Sequence, residues 1–257
     1  MEYFIICLIA FLTSILTFFS GFGLGTILMP VFALFFPIEL AIALTGIVHF
    51  FNNIFKLILV GNHASRKVLI KFGIPAVAAA LFGAWTLLNI TELPSIYTYQ
   101  LLHKSFEITP VKLVISLLLI GFSVVELLPL FNKLKFSTNK LPIGGVLSGF
   151  FGGLSGHQGA LRTAFLIKVG LTKESFIGTA VVISCFVDFT RISIYSTKIL
   201  NMGLNENFML IISATLSAIT GAFLGHRLLK KVTLKFLQKF VAVCLILISV
   251  ALGIGLI

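Results

Sequence analysis

The chain has 257 residues, of which 58% are hydrophobic and 11% are charged, and its mean hydropathy is +1.13. Soluble domains usually carry about 25% charged residues, so this chain has too little polar surface to face water, and lipid must cover much of it. The net charge of +11 comes from Lys and Arg that cluster at the ends of apolar segments. Such clustering is typical of cytoplasmic loops and argues against a nucleic-acid partner.

Eight apolar segments follow one another along the chain, and about 20 apolar residues are enough to cross the hydrocarbon as a helix. Together they predict an all-α, polytopic protein of the cell membrane. The first segment is expected to be retained, because Glu2 stands where a signal peptide has basic residues. The segments cover residues 3–36, 40–60, 72–91, 110–130, 141–170, 174–197, 207–226 and 236–257.

Two of these segments are too long for one span, and glycines interrupt both. Residues 20–25 read SGFGLG, and the segment 141–170 contains Gly152, Gly153, Gly156 and Gly159. Glycine inside a helix costs about 1 kcal/mol relative to alanine. The clustering therefore predicts a break in the helix at each place.

The two broken segments suggest an internal repeat. A shift of 134 residues places Gly25 on Gly159, Thr45 on Thr179 and Ala80 on Ala214. We predict two membrane repeats, residues 1–134 and 135–257.

Loop charges predict that the two repeats are inverted relative to each other. Loop 61–71 is basic and its counterpart at 195–205 has only Lys198, whereas the loop at 91–109 is nearly balanced and its counterpart at 227–235 is basic. The positive-inside rule then orients the halves in opposite directions. Inversion requires an odd number of crossings per half, so each half is expected to hold a re-entrant hairpin, or broken helix, plus three spans. Eight plain spans are the alternative.

The glycine breaks are the first candidate sites, because the N-terminus of a half-helix carries partial positive charge and free N–H donors that suit anions. Transporters use such interrupted helices to hold substrate near the midplane. Polar residues in apolar segments add to this set, since burial in a membrane makes them costly. The candidate substrate-binding residues are Gly23, Gly25, Asn52, Gly156, His157, Gln158, Gly159, Arg162, Asp188 and Arg191.

Several of these residues have two interpretations. Arg162 either grips an oxyanion or pairs with an acid such as Asp188. Asp188 and Arg191 are spaced to pair on one helix face, or they serve as a proton or cation site and an anion contact. His157 either couples proton and substrate movement or is a hydrogen-bonding partner.

A polar stripe on the second apolar segment is expected to face the protein interior, because its members recur at helical spacing. Lys56 lies near the end of that span and is also able to snorkel towards water. The stripe consists of His49, Asn52, Asn53 and Lys56.

The favoured function is secondary transport of a small anion, coupled to an ion or proton. The alternatives are a membrane-embedded enzyme and a non-transporting membrane partner. No H-E-x-x-H, G-x-S-x-G or P-loop motif occurs in the sequence, so neither catalysis nor a cofactor or metal is expected. The expected partners are the small anion and the bilayer, with a homodimer as one arrangement.

The chain resembles the TauE/SafE family of sulfite-exporter-like permeases over nearly its whole length. The resemblance lies in SGFGLGTILMP (20–30) and PIELAIALTG (37–46), which return as GGLSGHQGALRTAFL (152–166) and LTKESFIGTA (171–180). It implies export or exchange of small anions, such as sulfite or sulfonates. The second copy departs from the usual pattern, with His157 and Gln158 between the glycines and Ala164 where proline is common.

Overall fold

The computed structural model describes residues 1–18, 24–127, 138–167, 169–199, 204, 206–228 and 235–257. The fold is mostly helical, as predicted. The candidate Gly23 and the predicted repeat boundary at 134 lie outside the described residues.

The described residues form the following α-helices: α1 Glu2–Thr17, α2 Leu24–Ala33, α3 Ile38–Val60, α4 Arg66–Val68, α5 Ile74–Thr91, α6 Pro110–Leu127, α7 Leu141–Ser155, α8 Gly159–Leu166, α9 Lys173–Ile199, α10 Phe208–Leu228 and α11 Lys235–Gly253.

A β-hairpin corrects the expectation of an all-α fold. Strands β1 (Tyr97–Leu101) and β2 (Lys104–Ile108) pair antiparallel, with Leu101 opposite Lys104. Both turn residues, Leu102 and His103, have positive φ, as a two-residue hairpin turn requires. Aromatic and β-branched residues in β1 favour the strand, a signal that a reading of apolar segments overlooks.

Four helical stretches of the described chain are long and apolar enough to cross a membrane, Ile38–His63, Arg66–Thr91, Lys173–Ser196 and Phe208–Arg227. Glu2–Thr17, Leu24–Ala33, Pro110–Val124 and Ala242–Gly253 are shorter apolar helices. Many large apolar side chains, such as Phe82 and Trp85, are exposed. These features show a multi-pass membrane protein, because lipid is the solvent that such side chains require.

The second glycine-containing segment is interrupted where the sequence predicts, whereas most of the first predicted break, at residues 20–25, lies outside the described residues. Helix α7 ends at Gly156, which adopts φ +80° and donates its N–H to the Gly152 carbonyl at 2.9 Å. Helix α8 then folds back along α7, since a Cβ on Gly144 would lie 2.5 Å from the Phe165 ring. Helix α2 folds back in the same way, because α1 and α2 share one apolar groove.

Each folded-back helix pair packs against a span of the other half of the chain. Helix α1 packs on α10, and α7 packs on α5. A Cβ on Gly149 would lie 1.9 Å from the Ala76 carbonyl oxygen, and one on Gly221 would lie 2.3 Å from that of Phe11. Small residues permit this close approach, so the two halves are intertwined.

Helices α3 and α9 pack antiparallel at the centre. Gly46 lies against the Arg191 side chain, while Gly178 lies against the Val60 carbonyl. The Ser65 backbone N–H donates to Thr179 Oγ1 at 2.8 Å, so the start of α9 lies at the end of the bundle that carries loop 61–67. We call this the basic end.

The opposite end of the bundle carries the β-hairpin, and we call it the hairpin end. Glu92 and Lys198 form an ion pair there. Tyr99 of β1 donates its hydroxyl to the Ile254 carbonyl at 2.7 Å. The C-terminus therefore lies at the hairpin end.

Candidate functional site

Two polar faces meet between α3 and α9, in the middle of an otherwise apolar core. The predicted stripe on α3 is buried in full, including Lys56, which is only 6% exposed. Its ammonium lies 5.4 Å from the centre of the Phe18 ring, so Lys56 points inward and does not snorkel. From α9 the buried partners are Ser184, Asp188 and Arg191.

Asp188 is the centre of a hydrogen-bond network across this interface. Its Oδ2 lies 2.7 Å from His49 Nδ1 and accepts a hydrogen bond from Asn53 Nδ2 at 3.2 Å. Its Oδ1 accepts from Arg191 Nε at 3.0 Å. Both carboxylate oxygens of Asp188 therefore have hydrogen-bond partners. In this structure Asp188 and Arg191 form the ion pair that their spacing allowed.

Arg191 is enclosed by glycine on two sides. A Cβ on Gly46 would lie 3.3 Å from its Cζ, and one on Gly156 would lie 2.5 Å from its Nη1. Nη1 has no hydrogen-bond partner among the described residues. The left-handed glycine at the helix break thus makes room for a buried guanidinium.

Arg162 is the second buried arginine, and it forms no ion pair with a carboxylate among the described residues. Its Nη1 donates to Gln158 Oε1 at 3.2 Å and to the Ser184 hydroxyl. Its Nε has no partner within the described part of the chain, and the ion pair with Asp188 that the sequence allowed is not formed. The guanidinium charge of Arg162 is therefore not balanced by an ion pair within the described residues.

A cavity of about 30 Å³ lies beside Arg162, in the half of the core nearer the basic end. A water molecule needs about 10–15 Å³ by such a measure, so the cavity suits a compact ion of few atoms. Its polar lining consists of Thr17, His49, Asn53, Lys56, Arg162 and Ser184, and its apolar lining of Phe18, Leu24, Phe176, Ile177 and Ala180.

The residues of the second break differ in their relation to this cavity. Gln158 contacts Arg162, and its backbone carbonyl accepts from Ser148 at 3.1 Å, so it positions the guanidinium. His157 hydrogen-bonds to Ser155 through Nδ1 and stacks on Phe122, with ring centres 6.2 Å apart. His157 does not line the cavity.

The start of helix α2 meets the second helix break inside the core. A Cβ on Gly25 would lie 3.6 Å from Thr45 Cγ2 and 3.7 Å from the Gly156 carbonyl oxygen. Gly159 begins α8, and Asn52 accepts a hydrogen bond from Ser14 of α1 at 3.2 Å. Gly25, Asn52 and Gly159 therefore support the backbone around the site.

The sequence-based set of candidates omitted three residues that the structure places around the cavity, His49, Asn53 and Lys56. The helical stripe on α3 was the signal that identified them as interior. Ser184 carried no such signal, since only the fold brings it to Arg162.

These features define a multi-pass membrane protein with a helix break in its core and a cavity lined by two buried cations. The family model described as Sulfite exporter TauE/SafE matches residues 6–252, and the chain belongs to this family of membrane transporters. The resemblance drawn from the glycine motifs is confirmed. No curated protein and no solved structure matches the chain.

Proposed function

We propose that this protein is a secondary transporter of a small anion and that the anion binds in the cavity between Lys56 and Arg162. Sulfite is the first candidate, and a small sulfonate or organic acid is the second. The protein acts in the cell membrane, and anion movement is coupled to an ion or proton. Family membership favours transport over the enzyme and partner alternatives.

The observation that carries this proposal is the unbalanced charge of the cavity. Two buried cations, Lys56 and Arg162, line it, and no described carboxylate lies within 4.0 Å of either. Asp188 is occupied by Arg191, His49 and Asn53. A central charge in a membrane helix costs about 2.5–3.5 kcal/mol on insertion scales, and an anion between the two cations offsets that cost.

The donors also fit an oxyanion. Arg162 offers a planar fork of N–H groups that matches a carboxylate or sulfur oxyanion. Lys56 adds a compact charge, and Ser184 and Asn53 supply neutral polar groups to the same wall. Phe18, Phe176 and Ile177 add apolar surface to the lining, and a lower local dielectric strengthens electrostatic attraction.

The inverted repeat gives this site a means of alternating access. Helices α3 and α9 occupy corresponding places in the two halves and pack antiparallel, which supports inversion. Two outer apolar grooves add support, because Ile70, Ile74 and Val77 line one and Leu204, Phe208 and Ile211 line the other. These residues correspond by the predicted shift of 134.

We infer that residues 1–36 and 141–170 are re-entrant hairpins and that the basic end faces the cytoplasm, as loop charge predicts. The substrate then sits where the two broken segments meet, as in other inverted-repeat transporters. Phe18, Phe176 and Ile177 line the cavity on the side nearer the basic end.

Substitution of the cavity cations tests the site. Purified Lys56→Gln and Arg162→Gln should lose most of the thermal stabilisation by sulfite that the native protein shows, and proteoliposomes should lose sulfite flux. Lys198→Gln is the matched control, because Lys198 is 30% exposed at the hairpin end. Undiminished sulfite binding and flux in both cavity variants would refute the site.

A further inference from the structure

We propose that His49, held by Asp188, is the residue that binds the coupled proton in this transporter. The inference rests on the proposed function, because it requires an anion in the cavity between Lys56 and Arg162. Among the described residues, His49 is the titratable side chain that both contacts the central carboxylate and lines this cavity; Asn53 shares both contacts but does not titrate.

The geometry sets the tautomer of His49. Its Nδ1 lies 2.7 Å from Asp188 Oδ2, and Asp188 already binds Arg191, so the carboxylate is an acceptor and Nδ1 carries a hydrogen. Nε2 is then the basic nitrogen of the neutral ring, and it accepts from Asn53 Nδ2 at 3.3 Å. One proton from water adds to the Nε2 lone pair in place of that hydrogen bond and gives an imidazolium, while the Nδ1–H bond to Asp188 persists and Asn53 keeps its bond to Asp188 Oδ2.

The charges around His49 link this proton to the anion. Lys56 on α3, Arg162 on α8 and Arg191 on α9 oppose a further positive charge, and Asp188 alone among the near groups favours it. Cys185, Tyr195 and His157 are the other titratable groups around the network. Lys56 and Arg162 line the cavity together with His49. An anion bound there neutralises these two cations, so that the net charge around His49 then favours the imidazolium.

Proton and anion therefore bind together and leave together. A bound anion stabilises the imidazolium, and by reciprocity the imidazolium strengthens anion binding. When His49 loses its proton at the other side of the membrane, the site binds the anion more weakly and releases it. The expected coupling is symport, with both species moving in the same direction.

Neither of the other two candidates for the proton fits the structure as well. Asp188 has both oxygens engaged, one of them by Arg191, so a proton there would break the buried ion pair. His157 bonds to Ser155 and stacks on Phe122, away from the cavity lining.

Proteoliposomes test the coupling. Protein is reconstituted with the membrane potential clamped at zero, and radiolabelled sulfite is supplied at alkaline pH, where sulfite is the dianion. A gradient of one pH unit should drive about tenfold accumulation for one coupled proton, with a proton signal from an enclosed dye. His49→Gln should abolish both the accumulation and the dye signal, whatever rate of sulfite exchange remains.

His157→Gln is the matched buried control and should keep the native ratio of protons to sulfite. Stabilisation of His49→Gln by sulfite in a thermal-shift assay shows that the variant is folded and binds. Persistent pH-driven accumulation in His49→Gln, or native flux without proton movement, would overturn the role of His49 and leave the anion site standing. If neither the native protein nor the variants bind or move sulfite, a small sulfonate or an organic acid, the proposed function fails, and this inference with it.

Discussion

Gly156 and Arg191 are in direct contact at the second helix break. The glycine has φ +80°, and a Cβ on it would lie 2.5 Å from Nη1 of the arginine. The break in the helix and the buried guanidinium thus depend on the same missing side chain. This contact explains why a glycine-rich sequence surrounds the polar residues of the site.

Gly156→Ala should impair both stability and transport, because the new methyl group meets Arg191 and the left-handed backbone adds about 1–2 kcal/mol of strain. Gly170→Ala is the control, since Gly170 has φ +77° but nothing within 4 Å of its Cβ position. The measurement is sulfite flux together with the thermal midpoint in detergent. Equal losses of sulfite flux and thermal midpoint in the two variants would show that backbone strain, and not the contact with Arg191, causes the effect of Gly156→Ala.

The close packing of α7 on α5 makes Gly149 sensitive to substitution. A Cβ there would lie 1.9 Å from the Ala76 carbonyl oxygen, so Gly149→Ala should force the helices apart and cost about 1–3 kcal/mol. Gly121→Ala meets nothing within 4 Å and should be neutral or stabilising. Denaturant titration in micelles measures both free energies of unfolding, and an unaffected Gly149→Ala would contradict the packing.

The buried ion pair and the exposed one should differ in their contribution to stability. Asp188→Asn leaves the fully buried Arg191 without its partner, and breaking a buried pair in this way costs about 3–5 kcal/mol. Glu92→Gln breaks a pair whose side chains are 65% and 30% exposed, which costs about 0–1 kcal/mol. Denaturant titration measures the free energy of unfolding of both variants. A similarly small loss of stability in Asp188→Asn and Glu92→Gln would argue against the hydrogen-bond network around Asp188.

The orientation of the two ends follows from their contacts. A reporter inserted after His103 and one at the C-terminus should lie on the same side, because Tyr99 bonds to Ile254. A reporter after Lys67 should lie on the cytoplasmic side, opposite to both. A C-terminal reporter on the same side as Lys67 and opposite His103 is the pattern that eight plain spans require, and it would contradict the proposed inverted topology.

Local patterns were sufficient to predict much of this molecule. Apolar length predicts the helices, because the backbone must satisfy its own hydrogen bonds in lipid. The glycine clusters predict where α7 ends and α8 begins, since glycine alone adopts the φ of Gly156 at low cost. The stripe on α3 predicts an interior polar face, because its period is that of a helix. The β-hairpin was missed, because its signal is too short to stand out between apolar segments.

The roles of the charged residues depended on which side chains the fold brings together. The sequence by itself determined a multi-pass helical protein of the TauE/SafE family, with breaks at the glycines and costly polar residues in the core. Only the tertiary structure decided that Asp188 satisfies Arg191 and His49 and leaves Arg162 beside Lys56. The physical reason is that charge balance depends on distances between helices. Residues 49, 162 and 188 are far apart in the sequence, so no local pattern shows how close their side chains lie.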